Sequence, residues 1–222
     1  MRVRLLASAV VLFVAASLLT ILLSDASSAG VERCARFEKV AVARLAADVG
    51  SGQRVVVIGD SYSVGLGLPR AAASWPSRLT GRIHVSGFSG SGFSDRASGC
   101  GRVSFADRAT SAVRYGADLV VVQGGLNDLD RTDTEIRAGF ERLMRALGDL
   151  PVLVVGPADA PARSDAVPHV DALLAGLAQQ HGASYLSMRE LDLPYLGDRL
   201  HLTPEGHQEF GDVVAAWVAE RG

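Results

Sequence analysis

The sequence predicts an α/β domain of three layers, with a parallel sheet between helices, and three observations carry that reading. Short apolar runs rich in valine and leucine alternate with helical patterns from residue 54 onward. The runs lack polar alternation, as strands covered on both faces should. Polar, glycine-rich segments follow the runs, the usual place for a site in an open parallel sheet. Composition agrees: 222 residues, 48% apolar and 21% charged, suit one globular domain with a sizeable core. With 22 basic against 24 acidic residues and a formal charge of −2, binding to a nucleic-acid backbone is excluded as the main role.

Taken in order, residues 1–29 read as an export signal. Arg2 and Arg4 precede an apolar run from Leu5 to Leu23, and small residues from Ser24 to Gly30 suit a signal peptidase. The run approaches the length of a membrane span, so an uncleaved anchor is the alternative. Export would place the remaining domain, residues 31–222, in the cell envelope or outside the cell. Outside the cytoplasm the only two cysteines, Cys34 and Cys100, are expected to form a disulfide.

The stretch Val31 to Asp48 reads as a helix turning Phe37, Val40, Ala41 and Leu45 inward. Strands are expected at Arg54 to Ile58, Arg82 to Ser86, Asp118 to Val122, Pro151 to Val155 and Ala183 to Ser187. Between them, Thr132 to Leu147 places Ile136, Phe140, Leu143, Met144 and Leu147 on one face, and Thr132 with Glu135 has capping-box spacing. Pro168 to His181, stopped by Gly182, and Pro204 to Glu220 repeat the helical pattern, with Thr203 as the cap of the last helix.

Four polar segments could carry chemistry. Gly59-Asp60-Ser61 leaves the first strand with a hydroxyl at its edge, where a serine either caps a helix or acts as a nucleophile. Gly87-Phe88-Ser89-Gly90-Ser91-Gly92 follows the second strand and offers backbone N–H groups. Gln123-Gly124-Gly125-Leu126-Asn127-Asp128 follows the third, with an amide able to donate to a developing oxyanion. Asp198 and His201 lie just before the last helix, spaced so that the carboxylate can hold Nδ1 and leave Nε2 as a base. Dinucleotide and phosphate-loop patterns are missing, as is His-Glu-x-x-His, and Ser63 stands where an α/β-hydrolase elbow requires glycine. No cofactor or metal is therefore expected.

Together, in this order, the four segments resemble the SGNH, or GDSL, hydrolase superfamily across residues 54–221. The resemblance implies a five-stranded parallel sheet between helices and a serine esterase or lipase working through an acyl-enzyme. It implies Ser61 as nucleophile, His201 as general base and Asp198 as its orienting carboxylate. The oxyanion hole would comprise the backbone N–H groups of Ser61 and Gly90, with Gly92 as the alternative to Gly90, and the Asn127 side chain. Tyr62 departs from the leucine common after the serine, and is expected to form part of the cleft wall. Short connecting segments point to an open groove for short or medium acyl esters of lipids or the cell envelope. An acyltransferase, a carbohydrate O-deacetylase and a noncatalytic envelope-binding domain are the competing readings.

Overall fold

The computed structural model describes residues 28–46 and 48–221. The expected export signal falls almost wholly on residues 1–27, outside the described residues. The chain separates into two compact units, Met1–Phe37 and Glu38–Gly222. Helix α1 spans residues 28–45. Among the described residues no helix is long and apolar enough to cross a membrane.

The second unit holds five strands: β1 (Arg54–Gly59), β2 (Arg82–Gly87), β3 (Leu119–Gln123), β4 (Val152–Ala158) and β5 (Ser184–Met188). They pair in the order β2-β1-β3-β4-β5, all parallel. The connections are α2 (Ser61–Val64), two 3-10 turns (Ala71–Ala73 and Trp75–Arg78), α3 (Phe105–Ala112), α4 (Asp133–Leu147) and α5 (Val167–Gln180); α6 (Pro204–Arg221) follows β5. The predicted class is what the chain adopts. Strand order reverses between β1, which leads to β2 on one side, and β3, which pairs on the other. That reversal opens a crevice at the carboxyl ends of β1 and β3.

The period of two along each strand divides the core. Val55 and Val57 join Trp75, Val85, Val121, Phe210 and Val214 on one face of the sheet, whereas Val56 and Ile58 join Phe93, Phe105, Val122, Phe140 and Leu174 on the other. Truncating a ring such as Phe140, fully buried, would cost about 3–5 kcal/mol through lost transfer energy and a cavity. Caps fix the helix starts. Thr132 and Glu135 close the expected capping box on α4, and the Thr203 hydroxyl accepts the Gly206 N–H at the start of α6.

Two expectations need correction. Helix α3 was not foreseen, although Ser104 and Asp107 form a full capping box ahead of it. In α1, Val40 and Ala41 are half-buried as expected, but Leu45 is 42% exposed and the buried position is Arg44. At about 100° per residue, two turns beyond Phe37 the inward stripe returns at position 44, leaving 45 well off it. The helix also stops short of Asp48, whose carboxylate binds Arg54 Nη1 at 2.6 Å and His84 Nδ1 at 2.7 Å.

Candidate active site

Ser61 opens α2 directly beyond β1. Asp60 caps that helix, its Oδ1 accepting the Tyr62 N–H at 2.9 Å, so the Ser61 N–H is left without an intrahelical acceptor. The turn is tight. A Cβ on Gly59 would lie 2.0 Å from Ser63 Oγ, so only glycine fits there. Ser63 is buried, donating to Gln123 Oε1 at 2.7 Å and accepting from the Trp75 indole at 3.2 Å, which leaves Ser61 as the hydroxyl at the crevice.

His201 reaches Ser61 from the loop before α6. Its Nε2 lies 3.2 Å from Ser61 Oγ and its Nδ1 2.6 Å from Asp198 Oδ2. A carboxylate only accepts, so Nδ1 carries the proton and Nε2 is free to accept from the serine hydroxyl. Between the two residues Arg199 adopts a left-handed conformation, φ 57°, the sole non-glycine residue at positive φ among the described residues. This local strain folds the loop so that Asp198 Oδ1 also accepts the N–H groups of Leu200 and His201 at 3.0 and 2.9 Å. Burial pushes the Asp198 carboxyl upward, but the His201 ring and those two N–H groups outweigh it and hold it at about 2. Asp198 is therefore ionised throughout any working pH range.

Tyr62 does not wall the cleft. It is 1% exposed, packed edge-on against Phe210 and His207, and its hydroxyl donates to the Leu200 carbonyl at 2.6 Å. The aromatic ring fills the core where leucine would, and the hydroxyl ties the serine turn to the residue before His201. Tyr62→Phe should keep the fold and lower kcat severalfold with little change in KM, because only the serine–histidine alignment loosens. Steady-state kinetics on one ester checks this; an unchanged kcat would make the tie purely structural.

The glycine loop and the segment after β3 are braced together. Asn127 Nδ2 donates to the Ser91 carbonyl at 2.9 Å and more weakly to Asp60 Oδ2 at 3.4 Å, so the second N–H is the one a substrate oxygen could capture. Asp128 accepts the Ser94 and Phe93 N–H groups at 2.8 and 3.0 Å. A Cβ on Gly92 would meet Asp128 Oδ2 at 2.4 Å, whereas Gly90 is half-buried with φ 79°. Arg108, which sequence reasoning missed because it sits on the unforeseen α3, completes the brace. Its guanidinium donates to the carbonyls of Gly59 and Ser86 and to Ser91 Oγ, clamping the ends of β1 and β2 to the loop. Burial lowers its pKa to about 10, partly offset by the charges of Asp60 and Asp107.

Burial raises Asp60 to about 6 and Asp128 to about 7, against the lowering effect of the backbone N–H groups each accepts. Both exceed an unfolded carboxyl near 3.8, so the folded state binds more protons than the unfolded state between those values. Their contribution to stability is complete below about pH 4 and is lost as pH rises through 6 to 7. Asp128→Ala orphans two buried N–H groups and should cost about 2–5 kcal/mol. Urea denaturation should show the larger cost at pH 5 than at pH 8; an equal cost would remove the titration from the account.

Among the described residues no three His, Cys, Asp or Glu side chains converge as metal ligands. The sequence matches the GDSL-like Lipase/Acylhydrolase family model over residues 57–209, which spans all four polar segments. The chain belongs to that family. It is a serine-based carboxylic ester hydrolase, and its five-stranded fold is shared with solved esterases. A carbohydrate acetylesterase from Sinorhizobium meliloti aligns with TM-score 0.60 and 21% identity, over 76% of this chain and 99% of that one. The aryl esterase of M. smegmatis aligns with TM-score 0.59 and 19% identity, over 76% and 99%. A family two carbohydrate esterase from Clostridium thermocellum aligns with TM-score 0.63 and 15% identity, over 80% of this chain and 66% of that one. No curated protein sequence matches. Both cysteines of this GDSL hydrolase are disulfide-bonded, and neither is free.

Proposed function

We propose that this GDSL hydrolase is an exported esterase that cleaves short-acyl esters through an acyl-enzyme on Ser61. The observation carrying the mechanism is the continuous line from Asp198 through His201 to Ser61, with contacts of 2.6 and 3.2 Å. Ser61 Oγ attacks the ester carbonyl while its proton passes to His201 Nε2, and ionised Asp198 stabilises the imidazolium. The oxyanion takes hydrogen bonds from the Ser61 N–H, the Gly90 N–H and the Asn127 amide. Collapse breaks the bond to the alcohol oxygen, which receives the proton from His201. Water, deprotonated by the same imidazole, then attacks the acyl-serine and releases the acid.

Gly90 is preferred over Gly92 because Gly92 is packed on Asp128 and its carbonyl accepts the Phe105 N–H. Substrate class follows from exposure: the Asp198 side chain is 49% exposed and that of His201 17%, which places the site at a rim and not in a deep acyl tunnel. A shallow rim suits an acetyl or butyryl group on a polar alcohol, and the carbohydrate acetylesterase named among the structural relatives supports the same class. Work outside the cytoplasm is supported by the Leu5 to Leu23 run and by the disulfide-bonded cysteines.

Turnover should be greatest on p-nitrophenyl acetate, fall through butyrate and be lowest on octanoate, with acetylated sugars also cleaved. A preference for octanoate would contradict the shallow site. Added alcohol should not divert the acyl group from water; ester formation as the main outcome would instead make the enzyme an acyltransferase. Asn127→Ala should lower kcat about 10²–10³-fold with KM nearly unchanged, as removal of an oxyanion donor does. Unchanged kcat would take Asn127 out of the hole.

A further inference from the structure

The buried arginine of α1 lines a cavity to which none of the residues of the ester-cleaving site contributes. Arg44 is 8% exposed and lines a cavity of about 120 Å³ between α1, the 3-10 turn Trp75–Arg78 and β2. Val49, Pro76, Leu79, Ile83 and Val85 supply apolar walls, and the lining includes no Asp or Glu. The guanidinium makes a single hydrogen bond, from Nη2 to Ser74 Oγ at 3.3 Å, and its Nε is buried without a partner. Ser74 cannot compensate the charge, because its own hydroxyl proton is donated to the Ser63 carbonyl at 2.9 Å.

A buried, uncompensated guanidinium is costly, and five fixed donors match an anion with two oxygens in a plane. The volume is several times what one water molecule occupies, and most of its lining is apolar. We propose that this cavity binds a small monocarboxylate with an apolar chain, the carboxylate on Arg44 and the chain against Val49, Leu79, Ile83 and Val85. The site shares no residue with the ester-cleaving one. Burial lowers the Arg44 pKa, with no neighbouring charge opposing it, which agrees with a cation lacking its counterion.

Isothermal titration calorimetry of the full chain with hexanoate tests the proposal, with 1-hexanol and inorganic phosphate as comparison probes. Hexanoate should bind once per chain, while hexanol, lacking the charge, and phosphate, lacking the chain, should each bind at least about tenfold more weakly. Arg44→Gln should reduce hexanoate affinity by about tenfold or more. Should that variant fail to fold, Arg44→Met places an apolar chain in the apolar cavity and should fold while losing the binding. Asn127→Ala should leave hexanoate binding intact, which separates this site from the acid product held at the ester site. The proposal is overturned if both foldable Arg44 variants bind hexanoate as the wild type does, or if only Asn127→Ala loses it. It is equally overturned if phosphate or hexanol binds as well as hexanoate, or if no binding is seen up to about 10 mM.

Discussion

Replacing Ser61 by alanine is expected to reduce ester turnover by about ten-thousandfold or more while leaving the melting temperature nearly unchanged. The size of the effect follows from the covalent route: without Oγ there is no acyl-enzyme, and water must attack unaided within the remaining oxyanion donors. Retention of the fold follows from the local contacts. The hydroxyl of Ser61 meets only His201 among its hydrogen-bond partners, whereas the turn itself is held by the Asp60 carboxylate on the Tyr62 N–H and by Gly65, whose N–H donates to the Ser61 carbonyl. Thermal denaturation beside the kinetics distinguishes the two effects. Residual activity within about tenfold of wild type would move the nucleophile elsewhere.

Replacing His201 by alanine should cost nearly as much, and the double variant Ser61→Ala, His201→Ala should be no slower than either alone. Serine and imidazole act as one unit, so once either is gone the other has nothing to do. Additive losses in the double variant would show that His201 works independently of Ser61. Asp198→Asn belongs to the same unit and should approach the same cost: its Oδ1 still accepts the Leu200 and His201 N–H groups and preserves the loop, but its NH2 replaces Oδ2 against His201 Nδ1 and favours the tautomer with the proton on Nε2, which cannot take the serine proton. It also removes the negative charge that stabilises the imidazolium, which Asp198 carries at every working pH.

How much of this was legible beforehand depended on which residues signal their own environment. Valine runs such as Val55–Ile58 and Val120–Val122 announce strands covered on both faces, because nothing else in a soluble domain tolerates so many consecutive β-branched residues. Ser61, Asn127, Asp198 and His201 are legible because each lies in a polar segment that follows a strand or precedes the last helix, and strand ends converge in a parallel sheet. Residues whose role depends on a partner distant in sequence were harder. Tyr62 reads in sequence as part of the cleft wall, since nothing local shows that its hydroxyl meets Leu200 across the site. Arg108 sits on a helix of only eight residues whose buried face is one phenylalanine and three alanines, and its capping box at Ser104 and Asp107 ends in aspartate, a weaker signal than the glutamate of α4. At the end of α1 the apolar Leu45 is exposed and the charged Arg44 buried, so residue type misleads where the 3.6-residue period does not.

The most direct test of the central claim is covalent. The full chain treated with diethyl p-nitrophenyl phosphate should gain one diethylphosphoryl group, located by peptide mass analysis on Ser61, with turnover lost in proportion to labelling. The His201→Ala variant should label far more slowly, since the serine hydroxyl then has no base at 3.2 Å to accept its proton. Labelling of a different residue in step with the loss of turnover, or labelling of Ser61 that leaves turnover intact, would contradict the assignment of the nucleophile.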